Sequence, residues 1–207
     1  MGQGGFIFCE WDSVKKEYPD FQRAFAELEA KVIEKCNVDW SPKTIGYLTP
    51  GPNQYGRTSI LPALFRGYGQ SAATPPVAGT NCLITWRQYI DASGVQLVLC
   101  GARPGNVIPE GFKIAWIGLA FPVKQLNITE LKWQISDSKF VRVNIEELMS
   151  YKKPALIFEK GYILNEEEAF ELYAHVEQPD YQRIVMLGAC YYKTIDKVLG
   201  NPGSAIQ

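Results

Sequence analysis

Between Thr80 and Lys193 apolar and polar residues alternate in short runs with turn signals between them, the period-2 pattern of half-buried strands. Cys82, Ile84, Trp86 and Ile90 share one face, while Thr85, Arg87 and Tyr89 take the other. Ser93-Gly94 turns the chain, Val95–Cys100 returns, and Gly101–Gly111 reads as a loop. Phe112–Phe121 has little polar alternation, which predicts a central strand covered on both faces. Thr129, Leu131, Trp133 and Ile135 point inward from the next strand, and Val141, Val143 and Ile145 follow after a turn at Ser136-Asp137-Ser138. Glu146–Ser150 reads as one helical turn, Pro154–Glu159 as a short strand and Gly161 as a turn. Phe170, Leu172, Ala174 and Val176 alternate against Glu171, Tyr173, His175 and Glu177, and Tyr181–Lys193 closes the sheet as a nearly unbroken apolar run.

About eight such strands predict a mainly β chain, an antiparallel two-sheet sandwich of jelly-roll type. Its expected core includes Ile84, Trp86, Leu97, Trp116, Leu131, Trp133, Leu172 and Ile184. Upstream, residues 1–17 suit a short strand or an ordered arm. An N-terminal amphipathic helix follows, with Pro19 in its first turn, apolar residues Phe21, Phe25, Leu28, Val32 and Cys36 at spacings of three and four, and an end near Cys36-Asn37. Residues 41–80 are rich in Pro and Gly, yet Tyr55, Leu61, Leu64, Phe65 and Tyr68 are scattered through them. A segment both irregular and apolar reads as an extended arm lying against another surface. The expected division is residues 1–79 for helix and arm, 80–193 for the sandwich and 194–207 for a C-terminal tail. Phe21, Phe25, Leu28, Val32, Tyr55, Leu61, Leu64, Phe65 and Tyr68 are the expected assembly interface; the alternative cover for the helix stripe is the sandwich itself.

Charge and chemistry narrow the functional classes. The net charge is −1 and no run of Lys or Arg occurs, so no specific nucleic-acid partner is expected. The longest apolar run, Ile114–Val123, falls short of the ~20 residues of a membrane span, and no secretory signal is read at Met1–Phe8. With His175 as the single histidine, a cupin-type metal site cannot be assembled, and a Ser-His-Asp or Cys-His pair would have to use His175, which reads as an exposed strand position. Cys9, Cys36, Cys82, Cys100 and Cys190 lack metal-site spacing; a Cys82–Cys100 or Cys82–Cys190 bridge is the one disulfide considered. Glu166, Glu167 and Glu168 read as a solvated turn. No catalytic, cofactor or metal residues are expected. Aromatic residues form 13% of the chain, and Tyr89, Tyr173, Tyr191 and Tyr192 are candidates for outward-facing rings, suited to subunit contacts or to sugar stacking.

The block Phe112–Lys193 resembles the β-sandwich of viral capsid and vertex proteins, through Trp116-Ile117-Gly118-Leu119-Ala120, Ile128–Ile135, Phe158–Leu164 and the last strand with Gly188 in it. The resemblance implies a non-catalytic structural subunit that self-assembles, located in a virion and made in the host cytoplasm. Partners would be the chain itself or other structural subunits. The alternative is a lectin-like or receptor-binding module, cytoplasmic if not viral, with a glycan as partner.

Overall fold

The computed structural model describes residues 6–9, 19–40, 55–122, 126–146 and 155–193; for Phe6–Cys9, Asp20 and Phe21 it describes the backbone alone. Twelve strands are present among these residues: β1 Phe6–Cys9, β2 Tyr55–Thr58, β3 Phe65–Gly67, β4 Arg87–Ile90, β5 Gly94–Gly101, β6 Phe112–Ala120, β7 Ile128–Ile135, β8 Val141–Asn144, β9 Ala155–Leu164, β10 Phe170–Val176, β11 Asp180–Arg183 and β12 Val185–Lys193. Helix α1 spans Pro19–Asp39, and a 3-10 turn covers Pro62–Leu64. One five-stranded sheet runs β1-β9-β6-β12-β2, a second runs β3-β5-β10-β7-β8, and β4 and β11 form a two-stranded ribbon.

The antiparallel ladders are nested. β2 pairs with β12, β4 with β11, β5 with β10, β6 with β9 and β7 with β8, so early strands meet late ones around a central hairpin. The ribbon continues the β5–β10 ladder in register. Gly94 faces Val176, and four residues further along each strand Ile90 faces Asp180. Beyond it the chain passes Ile184 and changes sheet as β12.

The two sheets enclose a core of large side chains. Trp116, on β6 of the first sheet, meets Trp133 and Phe170 of the second at ring-centroid distances of 5.6 and 5.3 Å, both edge-on. Phe158 on β9 closes the group, 4.7 Å from Trp116 and 5.2 Å from Trp133. Edge-on aromatic pairs of this kind add roughly 0.5–1.5 kcal/mol beyond their buried area. The Trp116 indole N–H donates to the Gly118 carbonyl at 2.7 Å, so its polar atom is satisfied inside the core.

Outside the first sheet lies α1, crossing β9, β6 and β12. Its Leu28, Val32 and Cys36 meet Ala115, Ile117, Ala155, Ile157 and Ala189. Three alanines on that face let the helix approach closely. Gly161, at φ +65°, allows the same approach: a Cβ there would stand 2.5 Å from Leu28 Cδ2. β6 is therefore covered on both faces, as its uninterrupted apolar run predicts.

Several expectations are corrected. The sandwich begins before residue 80, because β2 and β3 of the Pro/Gly-rich segment are edge strands of its two sheets. Edge positions tolerate that composition. Ile84 is 71% exposed rather than core, because residues 83–86 are irregular and the alternation resumes only at Arg87. Gly161 does not end a strand; β9 runs through it to Leu164 with an irregularity against β6. Tyr181–Lys193 is two strands that belong to different sheets. The expected tail at 194–207 and all but the first residue of the turn at 146–150 lie outside the described residues.

Candidate functional site

The residues expected to form an assembly interface can now be placed. Leu28 and Val32 are buried under α1, and Phe25 packs beside them. Leu64 and Phe65 are buried in the inter-sheet core, with Leu61 and Tyr68 packed against it. Tyr55 lies half-buried with its ring 5.8 Å from Tyr191, in the helix–sheet cluster. Phe21 lies in α1 with its side chain outside the described residues. The chain's own sheets thus cover most of this set, so any surface for a partner has to be sought elsewhere.

Polar fasteners hold α1 at two points. Lys113 is only 1% exposed, and its Nζ lies 2.8 Å from Asp39 Oδ2 and 3.5 Å from Glu166 Oε1. Trp40 Nε1 donates to Glu166 Oε1 at 2.8 Å, and the Gly111 backbone N–H donates to Glu166 Oε2 at 2.8 Å. Glu166 is thus an anchoring group and not part of a merely solvated turn. Buried charges persist only when paired in this way. At the second point Tyr191 Oη donates to Glu29 Oε1 at 2.6 Å, and Arg57 Nε donates to the same oxygen at 2.7 Å. Burial, and then the hydrogen bond to Glu29, raises the Tyr191 phenol above its ordinary pKa. Tyr191 is buried, so it is not one of the outward rings the sequence suggests.

On the outer face of the second sheet the polar groups satisfy one another. Arg66 donates to the carbonyls of Gly101 and Gln70, each at 3.2 Å, and to the Asn106 side chain. Asn106 and Tyr173 both donate to Glu171. Lys132 Nζ sits 3.9 Å from the Phe140 ring centroid and 5.2 Å from that of Tyr173. His175 is exposed, with Nδ1 2.9 Å from Thr129 Oγ1. None of these groups converges on a shared open point.

The cysteines are equally closed. Cys36, Cys82, Cys100 and Cys190 are buried free thiols, so neither bridge considered from the sequence is formed. Burial pushes Cys36 and Cys190 up to about 12 and Cys100 up to about 11, the opposite of a reactive thiolate. Among the described residues no group of three His, Cys, Asp or Glu is placed to hold a metal ion, and no helix is long and apolar enough to cross a membrane.

The outer face of the β4–β11 ribbon is different. Tyr89 and Tyr181 are direct cross-strand partners, about half exposed, with ring centroids 4.9 Å apart. Arg87 lays its guanidinium over Tyr181, 4.0 Å from the ring centroid, and faces Arg183 across the ladder. The inner face is buried. There Gln88 donates to the Val98 carbonyl and accepts from the Tyr68 N–H, whereas the Gln182 amide has no hydrogen-bond partner among the described residues. Tyr89 is legible as outward from its alternation. Tyr181 is missed because the run into Lys193 reads as continuously apolar.

Compared with known proteins, the chain matches no family model, no curated protein and no solved structure.

Proposed function

We propose that this chain is a non-catalytic structural subunit that self-associates, with the strand arrangement of a jelly roll, and that its setting is a virion capsid or vertex. The observation that carries the reading is the nesting of the ladders. Without edge strands β1 and β3 and the ribbon, the sheets run β9-β6-β12-β2 and β5-β10-β7-β8. Such an order is what a long hairpin produces when it is wound into two facing four-stranded sheets, a fold shared by capsid and lectin domains. Fold alone does not give function. Self-association is favoured because the exposed aromatic and arginine side chains of the ribbon are the residue types enriched at protein interfaces.

The test is sedimentation velocity with electron microscopy on the purified full chain over a wide concentration range. The expected result is a defined oligomer, ring or closed shell. A chain that stays monomeric while binding an oligosaccharide through Tyr89 and Tyr181 would overturn this reading in favour of the lectin-like one, which those same exposed rings support.

A further inference from the structure

We propose that the outer face of the β4–β11 ribbon docks the acidic end of a second copy of this chain, in a head-to-tail contact. The inference rests on the self-association proposed above and names its surfaces.

Arg87 and Arg183 are exposed and directly opposed, and like charges in that position destabilise a ladder. Among the described residues neither guanidinium has a carboxylate partner; the nearest feature is the Tyr181 ring under Arg87. A guanidinium resting over a ring is restricted before any partner arrives, which lowers the ordering cost of binding. Ile84, just before β4, adds exposed aliphatic surface. Arginine, tyrosine and an aliphatic group form a protein-docking surface more readily than a sugar platform, since the two tyrosine rings are inclined by 54° and offer no common plane.

The complementary surface is at the other end of β10. Glu110, Asp137 and Glu167 are exposed there against one exposed base, Lys139, while Arg103 and Lys193 border the same loops half-buried, so the exposed groups are acidic by three to one. Their loops are tied into one rigid edge. Glu167 N–H donates to the Ile108 carbonyl at 2.9 Å, Ile108 N–H to that of Glu168 at 3.0 Å, and Ser136 N–H to that of Ala169 at 2.8 Å. β10 separates this edge from the ribbon by its seven residues, roughly 20 Å at the usual rise per residue. In a head-to-tail contact each copy uses its ribbon on one neighbour and its acidic end on another. Such a heterologous contact closes into a ring where the rotation closes and otherwise grows as a filament.

The experiment measures association of the full chain by sedimentation at low and high salt. Arg87→Glu/Arg183→Glu and, separately, Glu110→Lys/Glu167→Lys should each weaken association by at least about tenfold, with high salt weakening the wild type in the same direction. Mixing the two variants should restore association, because each then meets a reversed partner. Arg87→Gln/Arg183→Gln serves if the reversal disturbs folding, as read by circular dichroism. If the wild type associates and both folded variants associate equally well, this contact is wrong while self-association stands. A wild type that is monomeric throughout defeats the self-association reading and this inference with it. If the arginine variants lose binding to a single-stranded oligonucleotide or an acidic oligosaccharide but keep self-association, the ribbon belongs to that ligand and the inference is overturned.

Discussion

Two apolar contacts hold this molecule together, and they are built from opposite materials. Between the sheets, Trp116 meets Trp133, Phe158 and Phe170 edge to face, and Phe158 lies tilted against Trp133. Under α1 the sheet side is lined by Ala115, Ala155 and Ala189, and glycine at 161 is required for Leu28 to sit where it does. A gap of ~10 Å between facing sheets needs large side chains to fill it. A helix laid on a sheet needs small ones so that its own residues can reach the surface. The first contact is specified by shape. The second is a smoother fit, and charged groups at Lys113 and Glu29 pin it.

That difference can be broken experimentally at the aromatic group first. Trp133→Ala should cost about 3–5 kcal/mol in urea denaturation, because the neighbouring rings cannot collapse into the space. A loss below about 1 kcal/mol would mean that the inter-sheet contact is as forgiving as the helix contact. Next, Lys113→Met should cost about 1–2 kcal/mol. Glu166 keeps its donors from Trp40 and Gly111 but loses the buried cation, and Asp39 is half exposed and readily hydrated. Protease cutting within α1 ahead of the sheets would locate that loss at the helix; uniform resistance would place Lys113 in the general core instead.

Thiol labelling sharpens the contrast with the least perturbation. Cys36 lies under the helix and Cys190 in the inter-sheet cluster. Under native conditions Cys36 should react first, as α1 lifts without global unfolding. Both thiols keep their protons in the folded chain at a pH where unfolded thiols, at about 9, lose theirs. The unfolded state therefore binds fewer protons, and stability falls as pH rises above about 9. The fall is about 1.4 kcal/mol per unit for each thiol until its folded value is reached. Cys190→Ala should flatten the alkaline slope relative to wild type, whatever its effect at neutral pH. An unchanged slope would show that the thiol does not hold its proton on account of burial.

Much of the strand rhythm was legible because alternation is local: Leu131 and Trp133, or Leu172 and Ala174, report their own face. Leu28 and Val32 were legible as a buried stripe, but not what buries them, since a sheet and a neighbour ask for the same apolar surface. Ile84 misleads because a residue in irregular backbone keeps its alternating place in the sequence without a strand to orient it. The break at Ile184 is hidden because the residues on either side suit both sheets. The opposed pair Arg87 and Arg183 could not be read at all. It exists only through the register of two strands far apart in the chain.

The nested ladders also set the order in which this chain can be made. β7 and β8 are neighbours in sequence and can pair as soon as both leave the ribosome. β2, finished early, has its ladder partner in β12, at residues 185–193. The edge of the first sheet therefore stays open for most of synthesis, with Tyr55–Thr58 waiting on the last strand. Loop closure over such separations is slow and leaves strand edges exposed meanwhile. Truncation before Val185 would remove a central strand that β2 and β6 both need, so a nascent chain halted there cannot close the first sheet.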